Sequence, residues 1–311
     1  MSVQENAIPS RVADDEIDLR ELFAIIWRGK WIIFATTLVF AVASVFYTLS
    51  LPNVYKSEVL LSPVIDDGSL KIPGQLGGLA ALAGVNLGGA GGGDKTALAL
   101  EILKSREFIG RFIEQNDLYV PIMAAKGWNR AENQLLIDQE TFDTTSQQWL
   151  REVKLPFEAK PSAQETFDKF KKLFAVTQDK SSGMVKLSIE HYSPILAKQW
   201  VDKLVIAINE EMRQRELAEA ERSIAYLNNQ IAQTTIADIR TMLFSLIEEQ
   251  TKTVMLANVR DEYVFKTVDP AIIPELKAKP KRALIVIVTV ILAGMLSVFA
   301  VLILSLFRKK I

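Results

Sequence analysis

Two places in the sequence carry residue types that could do chemistry. One is His191, the single histidine, and the other is Gly88 to Thr96, where Gly88 and Gly93 precede Lys95-Thr96. A glycine loop closing on Gly-Lys-Ser/Thr would cradle phosphates with backbone N–H groups and set the lysine against them. Here Asp94 intrudes between Gly93 and Lys95, placing a carboxylate where a phosphate would sit, and no β-branched strand leads in. Nucleotide binding is therefore not expected, and Asp94 reads instead as the N-cap of a following helix. His191 ends an alternating stretch just ahead of Ser193-Pro194. A solvated or locally hydrogen-bonded histidine is expected there, not a catalytic base. There is no cysteine, which excludes disulfides, thiolate metal sites and cysteine nucleophiles. A net charge of −1 points to no polyanionic partner, hence no nucleic acid. No cofactor, metal or catalytic residue is expected.

The elements that organise the chain are two apolar runs. Ala283 to Phe307 is 25 residues without a charge, 17 of them Leu, Ile, Val or Phe. About 20 such residues span a bilayer, and insertion of this many aliphatic side chains is favoured by several kcal/mol. Trp31 to Leu51 is a second uncharged run of 21, with Trp27, Trp31 and Tyr47 near its two ends. Ala41-Val42-Ala43 imitates a signal cleavage site, but the run continues past it and a 30-residue segment precedes it, so a span is expected there too. Leu19, Leu22, Phe23 and Ile26 give residues 1–30 a short amphipathic helix at the membrane surface.

Two spans leave both termini on one side and Pro52 to Arg282 on the other. Lysines and arginines flank both faces, and the charge rule weakens for so long a loop, so orientation rests on the short tails, which are placed inside.

Within the loop, alternation predicts strands near 54–61, 174–178, 184–190 and 262–268. Gly74 to Gly93 holds nine of the fifteen glycines and reads as a loop without a rigid element. A helix over Lys95 to Gln115 is expected, with Leu103-Lys104-Ser105-Arg106 in its middle. Residues 120–160 suggest two or three short helices, and Ser162-Ala163-Gln164-Glu165 has the form of a capping box. Ile195 to Asp269 lacks glycine and proline, giving a long helical region over 195–258 with a bend expected at Thr234-Thr235. Pro270, Pro274 and Pro280 make residues 270–280 a stiff spacer into the second span. The fold class expected is an α+β membrane protein. Two transmembrane helices, 31–51 and 283–307, flank a 52–282 domain with a small membrane-proximal α/β base and a long helical projection; 1–30 and 308–311 are tails.

Several stretches together resemble a known family. These are Ile17-Asp18-Leu19 through Trp27-Arg28-Gly29-Lys30 before a span, Leu103-Lys104-Ser105-Arg106 after a glycine-rich loop, and Asp269-Pro270-Ala271 with Pro274 and Pro280-Lys281-Arg282 before a span containing Gly294. They are similar to the Wzz-type chain-length determinants, class 1 polysaccharide co-polymerases of Gram-negative inner membranes. The resemblance implies control of how many repeat units a membrane polymerase adds to lipid-linked O-antigen. It also implies a homo-oligomeric periplasmic ring, partnership with that polymerase, contact with lipid-linked polysaccharide and membrane lipids, and no enzymatic activity.

Class 2 relatives carry a cytoplasmic tyrosine kinase and a tyrosine-rich tail. The sequence ends four residues after Phe307, so neither a kinase nor a sensor's output domain is expected. The nearer alternative is a capsule or exopolysaccharide export adaptor paired with a separate kinase. The residues to follow are Trp27, Arg28 and Lys30; Lys104 and Arg106; Pro270, Pro274 and Pro280; and Lys281 and Arg282, expected at anionic headgroups. Ala293, Gly294 and Ser297 complete the set; Ala293 and Ser297, four apart, would let the second span approach Thr37 and Ala41 of the first, or the polymerase.

Overall fold

The computed structural model describes residues 19–64 and 93–308, which form two compact units, one within residues 1–51 and 280–311 and the other within Pro52–Lys279. The glycine-rich stretch up to residue 92 and the acidic residues near the N-terminus lie outside the described residues.

The first unit is built from α1 (Leu19–Arg28), α2 (Lys30–Ser50) and α9 (Arg282–Arg308). Both α2 and α9 are long and apolar enough to cross a membrane, and neither is buried in the protein as a core helix of a soluble domain would be. They pack on one another, and α1 packs on both.

The second unit has a four-stranded sheet ordered β6-β7-β1-β8, from β1 (Tyr55–Pro63), β6 (Phe174–Gln178), β7 (Val185–His191) and β8 (Phe265–Asp269). All pairings are antiparallel. Its period-2 pattern buries Tyr55, Ser57, Val59 and Leu61 on one face and leaves Lys56 and Glu58 towards the other. The β6–β7 turn is held by Asp179, whose Oδ1 accepts from the Ser181 and Ser182 N–H groups, and by Gly183 at φ +71°, where a side chain would be strained.

Helix α7 (Pro194–Gln233) covers the buried face. Ser193 caps it, its side chain accepting from Leu196 N–H, and Pro194 takes the first helical position. Ala197, Trp200, Val201, Leu204, Val205, Ile208 and Met212 form one buried stripe at helical spacing. Around it α4 (Arg106–Gln115) and α6 (Ala163–Leu173) bring Phe108, Ile109, Phe112, Ile113, Phe167 and Phe170 into the same core.

Past Met212 the continuous buried stripe ends. The outer half of α7 packs on α8 (Ala237–Val259), with Ala220 and Ala257 the buried residues. At about 1.5 Å per residue α7 is some 60 Å long, and α8 returns over roughly 35 Å.

Several expectations are corrected. The helix expected over 95–115 is two, α3 (Gly93–Lys104) and α4, because Ser105 is extended and its side chain accepts from Phe108 N–H as an N-cap. Since α3 starts at Gly93, Asp94 lies inside its first turn and is not its cap. Residues 120–160 hold one short helix, α5 (Tyr119–Met123), and two small hairpins, β2 (Ala125–Asn129) with β3 (Gln134–Ile137) and β4 (Phe142–Asp143) with β5 (Gln148–Trp149). By contrast, the helical region over 195–258 breaks at residues 234–236, at the Thr234-Thr235 pair where the bend is expected. The last strand starts at Phe265, not 262, and at that start the N–H groups of Val264 and Phe265 turn to the Asn209 side chain of α7.

Candidate membrane hairpin and its approach

Two contacts fix α2 and α9 as an antiparallel pair. At one end Gly29, between α1 and α2, lies under Val301; a Cβ there would collide with the Val301 Cγ1. At the other, Arg282 donates from Nε to Thr48 O at 2.9 Å and from Nη2 to Leu51 O at 3.2 Å. These carbonyls belong to the last turn of α2, which lacks intrahelical donors, and a cation is favoured at that end of a helix dipole. Arg282 thus clasps the two ends of the hairpin together.

Between these ends the small residues meet. Ala293, Ser297 and Val301 are buried on α9, as are Ser44 and Thr48 on α2, while large side chains such as Trp31, Phe46, Leu296 and Phe299 point outward. Such an arrangement suits lipid outside and close backbone approach inside. The hydroxyls of Ser44, Thr48 and Ser297 bond back to the carbonyls of Ala41, Val45 and Gly294. Thr37 and Ala41 are partly buried, and the Thr37 hydroxyl is enclosed without a hydrogen bond. Gly294 does not serve close approach: a Cβ on it would meet nothing within 4 Å. The glycine that does is Gly29, legible only from its position between Arg28 and Lys30.

Beside Gly29, Phe23 stacks on Trp27 with ring centroids 6.0 Å apart, and Lys30 Nζ lies 4.5 Å over the Trp27 ring. Trp27, Arg28 and Lys30 are all exposed. An aromatic pair with a cation on it is an interfacial anchor, apolar in body and charged at its tip.

In the other unit the proline-rich approach is pinned along β1. Ala271 is buried, Ser57 Oγ donates to Ile272 O at 2.8 Å, and Val54 pairs with Lys279 while its carbonyl also accepts from Ala278 N–H at 2.8 Å. Lys279 Nζ bonds Glu190 at 2.6 Å. Pro270, Pro274 and Pro280 lie along or at the end of this stretch, where a missing N–H costs nothing in the sheet. Lys281 is exposed.

Lys104 and Arg106 lie apart from these features. Lys104 pairs with Glu101 on its own helix at 3.0 Å, and Arg106 lies 5.8 Å from the ring centre of Phe167 on α6.

Three polar residues of the domain escaped the sequence reading or sharpened it. Asn209 is buried on α7; its Oδ1 accepts from Val264 N–H at 2.8 Å and Phe265 N–H at 2.9 Å, and its Nδ2 donates to Phe265 O and Val205 O. A side-chain amide thus does what a neighbouring strand would. The signal was an asparagine one turn beyond Val205 in an apolar stripe. Arg151 pairs with both oxygens of Glu165, at 2.8 and 2.9 Å, and donates to the carbonyls of Ala159 and Glu158, closing the loop ahead of α6. Those bonds hold the Glu165 carboxyl below the usual range, against a smaller opposing effect of burial.

His191 is locally bonded, its Nε2 donating to Pro121 O at 3.2 Å and its Nδ1 accepting from Ser193 N–H at 3.1 Å. Burial, with Trp200 at 4.7 Å, pushes its pKa down and keeps it neutral.

Residues 15–116 match the family model described as Wzz: Chain length determinant protein. Over that third of its length the chain is similar to this family. That match holds α1, α2, β1, α3 and α4, with Gly29 and the Ser105 break. Among solved structures, one described as a full-length bacterial polysaccharide co-polymerase is 13% identical, with a TM-score of 0.39, over 94% of this chain and 99% of that one. A second, described as a fragment of WzzB, a polysaccharide co-polymerase from Salmonella Typhimurium, is 12% identical with a TM-score of 0.29, over 73% of this chain and 100% of that one. No curated protein matches in sequence. With two helices long and apolar enough to cross a membrane and a large second unit, the chain is a membrane protein with a large extra-membrane domain.

Proposed function

We propose that the chain regulates the length of a bacterial polysaccharide, setting the modal number of O-antigen repeat units that a membrane polymerase adds during lipopolysaccharide biosynthesis. The observation that carries this reading is the Wzz match over residues 15–116, joined to a hairpin whose two spans hold one large domain between them. The protein acts without chemistry of its own, as a homo-oligomer beside the polymerase in the inner membrane, with its termini cytoplasmic and its domain periplasmic. Support for the placement comes from Trp27, Arg28 and Lys30 clustered next to the first span, a cationic and aromatic anchor of the kind cytoplasmic faces carry.

Deleting the gene tests the function: loss of modal O-antigen length supports it, and an unchanged lipopolysaccharide ladder with loss of capsule would assign the chain to export. Topology is tested with single cysteines in this cysteine-free chain. Cysteine at Ser181 reacts with an impermeant thiol reagent once the outer membrane is opened, and cysteine at Ser10 does not; the opposite pattern reverses the orientation.

A further inference from the structure

The stretch from Ile272 to Lys277 is exposed in a way that its rigid support does not require. Leu276 is 84% exposed, Ile272 69% and Ile273 49%, so three aliphatic side chains stand in the open within five residues. They cannot swing away, because Ala271 is buried before them, Ser57 holds Ile272 O, and Val54 holds the backbone at Ala278 and Lys279 after them. Another strand would find a poor partner here, since Pro270, Pro274 and Pro280 interrupt the row of N–H donors along this edge.

The sequence around the stretch points to its occupant. Arg282, the first residue of α9, follows Leu276 by six residues, and Val54, paired with Lys279, follows the last residue of α2 by four. At no more than about 3.5 Å per residue, the covalent chain keeps both sides of that pair within roughly 10 to 20 Å of a helix that enters lipid. Exposed Lys277 and Lys281 bring positive charge, Lys279 is engaged by Glu190, and Glu275 is the one carboxylate on the stretch. Aliphatic side chains beside lysines, next to a span, fit the headgroup layer of an anionic bilayer.

We propose that Ile272 to Lys277 is a lipid-contacting foot of the extra-membrane domain, with Ile272, Ile273 and Leu276 dipped into the headgroup layer and Lys277 among lipid phosphates. The proposal rests on α9 crossing the bilayer. It would fix the height of the sheet over the membrane through direct contact, in addition to the covalent link.

The test uses the full chain in nanodiscs of phosphatidylcholine and phosphatidylglycerol. An environment-sensitive fluorophore is placed on L276C, on V288C within α9 and on Y226C on the outer half of α7. The probe at 276 is expected to show blue-shifted emission and to lose most of its intensity to lipids spin-labelled near the headgroup, while that at 226 loses none. Blue-shifted but unquenched emission at 276 would mean that protein covers it, and water-like emission that nothing does; either result overturns the foot. Quenching that is the same in phosphatidylcholine alone would overturn the role given to Lys277. Failure of the probe at 288 to be quenched by lipids labelled deep in the acyl chain would instead overturn α9 as a span.

Discussion

Asn209 joins α7 to the start of β8, and its removal should cost more than any other single polar truncation in the domain. In Asn209→Ala the N–H groups of Val264 and Phe265 lose their acceptor, both being buried. A buried donor left without a partner costs about 1 to 3 kcal/mol. The Phe265 carbonyl loses a donor as well, whereas Val205 O keeps its helical partner and costs nothing. The two donors alone sum to about 2 to 6 kcal/mol. For a domain of this size each kcal/mol shifts Tm by about 2 to 4 °C, so a loss on the order of 10 °C is expected. Asn209→Asp keeps both acceptor bonds but turns a carboxylate oxygen on two carbonyls, so it should not rescue. The assay is thermal unfolding of the full chain in detergent, followed by circular dichroism, together with hydrogen exchange at Val264 and Phe265. A shift below about 1 kcal/mol with unchanged protection of those two amides would refute the reasoning, since it would mean that β8 is held by its pairing with β1 alone.

Four further outcomes follow from the same structure. Gly29→Ala should disturb the junction of α1 and α2, and pairing it with Val301→Ala should restore much of the loss; a double-mutant cycle in Tm that shows no coupling contradicts the contact. Arg282→Ala strips two donors from the end of α2 and should destabilise the hairpin by about 1 to 3 kcal/mol, read as lowered resistance to detergent unfolding. Arg151→Ala frees Glu165 and the carbonyls of Glu158 and Ala159, so proteolysis near exposed Leu155 should accelerate, and Arg151→Lys should not restore protection because it cannot make the two-pronged bond. The His191 pKa is lowered on folding, so the unfolded chain takes up the proton first. Stability is then complete above about pH 6.5 and falls as pH drops below it. Tm followed from pH 7.5 to 5.5 should decline in the wild type, and His191→Gln, in the absence of any other histidine, should flatten the curve.

The spans and the sheet were legible because their periods are long and their composition is extreme. Two uncharged runs and the alternation around Val59, Leu187 and Phe265 need no tertiary knowledge, and the buried stripe of α7 has the residues that its helical spacing picks out. The break at Ser105 was not legible. A serine inside a helix-forming sequence caps a new helix only when its side chain turns to an N–H three residues on, which local composition does not announce. The interruption at Thr234 was easier, since β-branched residues stood where the apolar pattern failed. Asn209 was lost because its value lies entirely in a partner 55 residues away. Gly29 was quoted in a motif without a reason, and the reason, Val301, sits on the other span. Arg282 was read from charge alone, which places a cation at a membrane but does not show the backbone carbonyls that it reaches. The small hairpins over 125–149 are too short to carry a period at all.

The central claim is that the chain sets polysaccharide length without catalysing a bond. The most direct measurement is polymerisation by the membrane polymerase reconstituted in liposomes with lipid-linked repeat units, with and without the purified full chain, read as the distribution of product lengths. A broad distribution that narrows to a mode when the chain is added, at an unchanged number of repeat units consumed, is the predicted result. An unchanged length distribution would contradict the account.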